Sequence, residues 1–146
     1  MRPPEDARTR IVTEWLRKAE ADIAVAERLL LDEEPFLNAV TFHCQQAAEK
    51  YLKALLTCWD MEFPKTHVLA KLIGLIETRD AALATSLLDA VSLTPYGVEL
   101  RYPGDRPDAS PGEAREALDL ARKVRDAVLP MLPAESSGGE RGTELG

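Results

Sequence analysis

Apolar residues recur at intervals of three and four along this chain in block after block, and no stretch shows the strict alternation of a half-buried strand. In IVTEWLRKAEADIAVAERLLL, residues 11–31, Ile11, Trp15, Leu16, Ala19, Ile23, Ala26, Leu29 and Leu30 form one helical stripe. Pro35, behind Asp32, Glu33 and Glu34, ends that block, because proline drives the residue before it out of the helical region. The spacing predicts a second helix from about Phe36 to Trp59, with Val40, Cys44, Ala47, Tyr51, Leu55 and Cys58 inward and Ala48, Leu52 and Trp59 widening the stripe. Its polar residues, including the Glu49–Lys53 pair, are expected on a solvated side.

A short third helix is expected over HVLAKLIGLIE, capped by Thr66, and a fourth over AALATSLLDAVSL, with Leu83, Leu87, Leu88 and Val91 inward. The last runs through EAREALDLARKVRDAVLPML, where Ala114, Ala117, Leu118, Ala121, Val124, Val128 and Leu129 have bundle spacing. Ser110 and Glu113 fit a capping box, with Pro111 at the first helical position. The fold class is therefore all-α, an antiparallel up-and-down four-helix bundle with an additional short helix. Residues 11–131 are assigned to this domain, 1–10 to a flexible N-terminus and 132–146 to a disordered C-terminal tail.

Composition limits the partners. The 18 basic and 25 acidic residues leave a net charge of −7, a poor basis for binding duplex nucleic acid. No run is apolar enough to span a membrane, and no leader-like segment follows the first residues, so the expected location is cytoplasmic. Cys44 and Cys58 fall about 21 Å apart on one helix, too far to pair. With only His43 and His67 beside them, no metal site is expected, and no cofactor motif is present.

Three places have the chemistry to bind something. Arg101, in ELRYPGDRPD beside Tyr102 and near Arg106, could grip a phosphate bidentately or equally anchor its loop on a carboxylate. On the second helix His43, Gln46 and Lys50 share a face, with Lys53 one turn on and Gln45 in the neighbouring row. That face could read a base and offset phosphate charge, or be a solvated surface or a dimer contact. His67 could act as a base, hydrogen-bond within its turn, or stack on Phe63.

The segments WLRKAEADIAVAERLL, AVTFHCQQAAEKYLKALL, FPKTHVLAKLIGLI and LRYPGDRPDASPGEAREALDLARKV, in this order and spacing, resemble the HEPN family. The resemblance covers about residues 11–131. It implies an all-α bundle that commonly forms homodimers, often beside a minimal nucleotidyltransferase in a toxin–antitoxin or regulatory pair. Many members of the family are metal-independent ribonucleases that use an arginine and a histidine separated by four to six residues. Here FLN and DME occupy the windows before His43 and His67, and no histidine follows Arg101. The resemblance thus implies a non-catalytic module that binds a nucleotide, a single-stranded RNA or a nucleotidyltransferase partner. Its site is expected at Arg101, Tyr102, Arg106, His43, Gln45, Gln46, Lys50 and Lys53. A divergent ribonuclease and a purely structural oligomerisation protein are the alternatives.

Overall fold

The structure, a computed structural model, describes residues 3–97 and 108–133. Its elements are α1 (Pro3–Leu30), α2 (Leu37–Cys58), α3 (Leu69–Glu77), α4 (Ala81–Leu87), a 3₁₀ segment (Leu88–Gly97), α5 (Pro111–Val128) and a closing 3₁₀ turn (Leu129–Met131). The all-α bundle expected from the sequence is what forms. α1 begins at Pro3 rather than near Ile11, with Pro3 and Pro4 in a first turn that has no intrahelical N–H bonds to lose.

α2 is the axis of the bundle. Arg8 reaches Asp60 and Asp22 reaches Lys50, so α1 and α2 run antiparallel. Arg122 on α5 meets Glu27 on α1, while Asn38 at the start of α2 bonds Asp108 and Ala109 just before α5. α5 therefore runs parallel to α2, and the chain must first cross back. The short helices α3 and α4 and the 3₁₀ segment make that return.

The inward stripes of α2, α3 and α5 are those read from periodicity; Val40, Cys44, Tyr51, Leu55, Leu72, Ile76, Ala121 and Val128 are all buried. Burial pushes the Cys44 thiol up to about 12, so it packs as an inert small hydrophobe; Cys58, half-buried, is also free. Three details differ from the sequence reading. On α1 the core stripe is Val12, Leu16, Ala19, Ile23 and Ala26, and Ile11 is 50% exposed.

The helix expected over AALATSLLDAVSL tightens after Leu87. Burial then follows the three-residue turn of a 3₁₀ helix, through Leu87, Ala90 and Leu93, and leaves Leu88 exposed. Thr66 does not cap α3: its hydroxyl accepts from Val68 N, while Thr94 on the 3₁₀ segment accepts from Leu69 N.

The capping box at α5 is complete. Ser110 Oγ accepts from Glu113 N, and Glu113 Oε1 accepts from Ser110 N at 2.8 Å. Replacing Ser110 by Ala removes the first of these bonds and should cost about 1 kcal/mol. Urea unfolding should show a lower midpoint with an unchanged slope.

Candidate functional site

Between Val40 and Leu56, only Phe42, His43, Gln46 and Lys50 of α2 escape full burial. Neighbours therefore cover the helix on nearly every side, including the side expected to be solvated. Ala47, Ala48 and Ala54 present little bulk and let those neighbours approach closely. The consequence is chemical. Each polar side chain that α2 carries inward needs a partner, because an unpaired buried polar group costs several kcal/mol.

The first partner comes from α1. Asp22, 8% exposed, accepts from His43 Nδ1 at 2.8 Å and from Lys50 Nζ at 2.7 Å. His43 and Lys50 are two helical turns apart on α2, so a single carboxylate between them meets both. An ionised carboxylate can only accept, which places the Nδ1 proton of His43 toward Asp22 and directs Nε2 away from it. Phe42 packs against the imidazole edge to face, with ring centroids 5.3 Å apart.

The second cluster centres on Glu49. Its Oε2 accepts from Lys53 Nζ at 2.7 Å, and its Oε1 accepts from His67 Nδ1 at 2.8 Å and from Gln45 Nε2 at 3.2 Å. Gln45 Nε2 also reaches the His67 carbonyl, and Gln45 Oε1 accepts from Gln46 Nε2. The Lys53 ammonium lies 5.6 Å from the Trp15 ring and 5.9 Å from the Phe63 ring. Burial pushes the Glu49 carboxyl up, but hydrogen bonds from Lys53, His67 and Gln45 and the charge of Lys53 outweigh it and hold the group below its usual value. The stability this gives is present above the ordinary carboxylate range and is lost as pH falls through Glu49's lowered value.

The row expected to serve solubility is therefore internal. The Glu49 and Lys53 side chains are 5% and 9% exposed, and Gln45 is fully buried. His67, whose partner was not apparent from sequence, bonds Glu49 and keeps a side chain 69% exposed.

The structure brings His43 and Lys50 together through Asp22, and Gln45 and Lys53 through Glu49, with Gln46 bonded to Gln45. Arg101, Tyr102 and Arg106 lie outside the described residues. Both described flanks of their segment rest on α2: Gly97 against the Gln45 amide, Asp108 and Ala109 on Asn38. A Cβ on Gly97 would come within 2.7 Å of Gln45 Cδ, so a larger residue there would have to displace the Gln45 amide.

Sequence reasoning missed Asp22 and the organising role of Glu49. A lone acid inside the apolar run ADIAVA was the available signal for the first. For Glu49, the signal was its place between Gln45 and Lys53 at helical spacing. Among the described residues no group of three metal-ligating side chains comes together, and no helix is long and apolar enough to cross a membrane.

Lys53→Met should be strongly destabilising, by about 3 kcal/mol, because it leaves the Glu49 carboxylate buried without its cation. Glu49→Gln combined with Lys53→Met should recover part of that loss, read from urea unfolding of the single and double variants.

A family model described as HEPN domain matches residues 12–132. No curated protein and no solved structure matches the chain.

Proposed function

The chain belongs to the HEPN domain family, and we infer that it is a non-catalytic module whose ligand is a nucleotide or a short single-stranded RNA. The observation that carries this reading is the anchoring of both described flanks of residues 98–107 on α2. The anchor points, Asn38 and Gln45, are seven residues apart, about 10 Å along the helix. Arg101 follows Gly97 by four positions in the sequence, with three residues between them.

Arg101, Tyr102 and Arg106 stand in the sequence between these two flanks, which rest on the helix that carries His43, Gln46 and Lys50. A guanidinium suits a phosphate, and the partly exposed Gln46 amide and His43 imidazole suit a base edge. Asp22 fixes His43 in one orientation, which lowers the entropy lost on binding. Gln45 and Lys53, being buried, serve by placing Gly97 and Glu49 rather than by touching ligand.

A cytoplasmic regulatory or toxin–antitoxin pair with a minimal nucleotidyltransferase, and a homodimeric state, complete the proposal; the family resemblance supports both. A second reading, a divergent metal-independent ribonuclease, has one observation in its favour. Each imidazole is held through Nδ1 by a carboxylate, an arrangement that prepares Nε2 as a base.

Calorimetric titration with ATP, GTP and a short single-stranded RNA tests the binding reading. Saturable binding that is lost in Arg101→Ala and weakened in His43→Ala, with helical circular dichroism unchanged, is the expected result. Flat heats with all three ligands, or an Arg101→Ala variant that binds like the parent, would overturn it. Cleavage of the RNA to a 2′,3′-cyclic phosphate, abolished in His43→Ala or His67→Ala, would establish the second reading instead.

A further inference from the structure

The open strip of α2 has a hydrogen-bonding polarity that its buried neighbours dictate. Lys53 helps keep Glu49 ionised, and an ionised carboxylate only accepts. Gln45 Nε2 donates to Glu49 Oε1 at 3.2 Å and to the His67 carbonyl at 3.0 Å, and neither of those groups can donate back. The Gln45 amide is therefore fixed in one orientation, its nitrogen toward these two acceptors and its oxygen toward Gln46. Gln46 inherits the choice. Its Nε2 donates to Gln45 Oε1 at 2.7 Å, and the reversed amide would set oxygen against oxygen. One N–H of Gln46 is thus committed to Gln45, and Oε1 is the acceptor left to meet a ligand.

Asp22 polarises two more groups on the same face. His43 gives its Nδ1 proton to that carboxylate, so the neutral ring offers Nε2 as an acceptor. Lys50 gives one ammonium hydrogen to the same carboxylate and keeps two donors. The His43 and Lys50 side chains are 29% and 21% exposed and Gln46 is half-buried, so a ligand can reach all three. In chain order His43, Gln46 and Lys50 offer acceptor, acceptor and donor, with neighbouring Cβ atoms about 5–6 Å apart.

We propose that this row selects guanine among the bases, through the edge that carries N2–H, N1–H and O6. The inference rests on the nucleotide-binding reading above and names the base. That edge presents donor, donor and acceptor, the complement of the row. Adenine would set its N1 acceptor against one of the row's acceptors. Cytosine has acceptors at both O2 and N3, and uracil flanks its one donor with two carbonyls. None of these three has adjacent donors on that edge. The row spans about 10 Å of helix, which long side chains can close onto one base. Lys50 serves here by donating to a neutral carbonyl, a contact that does not need unshared charge. Gln45 and Glu49 touch no ligand and act as positioning residues for the Gln46 acceptor.

Calorimetric titration with GTP, ITP and ATP at pH 8, above the ordinary imidazole value, tests the assignment. GTP should bind about tenfold or more tighter than ATP, the effect of roughly two hydrogen bonds. ITP keeps N1–H and O6 but lacks the 2-amino group, and should fall between them. Gln46→Leu removes the acceptor, and Gln45→Met frees the Gln46 amide to turn. Each should bring the ratio of GTP to ATP affinity close to one. Saturable binding with ATP equal to or tighter than GTP overturns the base assignment alone and leaves nucleotide binding standing. So does a ratio that Gln46→Leu does not change. Flat heats with all three nucleotides overturn both. The comparison on the parent needs no substitution, and helical circular dichroism of each variant separates a lost acceptor from a lost fold.

Discussion

A helix covered on nearly all sides cannot keep charged residues unless other elements supply their counter-charges, and that requirement organises this protein. α2 carries His43, Gln45, Glu49, Lys50 and Lys53 into or beside the interior. Asp22 from α1 and His67 from the segment before α3 answer them. The two clusters therefore do structural work: one ties α1 to α2, and the other ties the approach to α3 and, through Gln45 and Gly97, the end of the 3₁₀ segment. The apolar stripes bring the helices together without much preference for register. The charged contacts fix which turn meets which, because sliding by one turn would leave a carboxylate buried without its cation.

The same clusters bear on ligand chemistry. A lysine already paired with a buried carboxylate has less charge to offer a phosphate than a free one, which applies to Lys50 and, more strongly, to Lys53. The histidines differ. Each gives one nitrogen to a carboxylate and keeps the other, so His43 and His67 remain able to donate or accept at Nε2. For the proposed nucleotide ligand, this moves weight from the lysines to the imidazoles, the Gln46 amide and the arginines of residues 98–107.

Periodicity made most of the fold legible, because helical burial is a repeat and repeats survive in one dimension. The stripes of α2, α3 and α5 could be read residue by residue. The failures arise where the repeat changes or carries ambiguous residues. After Leu87 the chain tightens to three residues per turn, so Leu88 leaves the core and Ala90 enters it. On α1, Ile11 and Val12 are equally apolar, and only the position of α2 decides which of them turns inward. Glu49 and Lys53 illustrate the harder limit. A favourable acid–base pair at helical spacing looks the same on a solvated surface as in a buried cluster, and what distinguishes the two is His67 and Trp15, 18 and 38 residues away in the chain.

The parallel course of α2 and α5 has a bearing on biosynthesis. α1 and α2 emerge from the ribosome together and can pair as a hairpin at once, but the flank of α2 that packs against α5 stays bare until α5 is made. Residues 59–110 must be translated first, which takes a few seconds at ordinary elongation rates. For that interval the nascent protein holds an uncovered apolar strip beside incompletely neutralised charges. A message truncated before codon 111 would release chains that cannot close the bundle, and such chains would be natural substrates for chaperones and proteases.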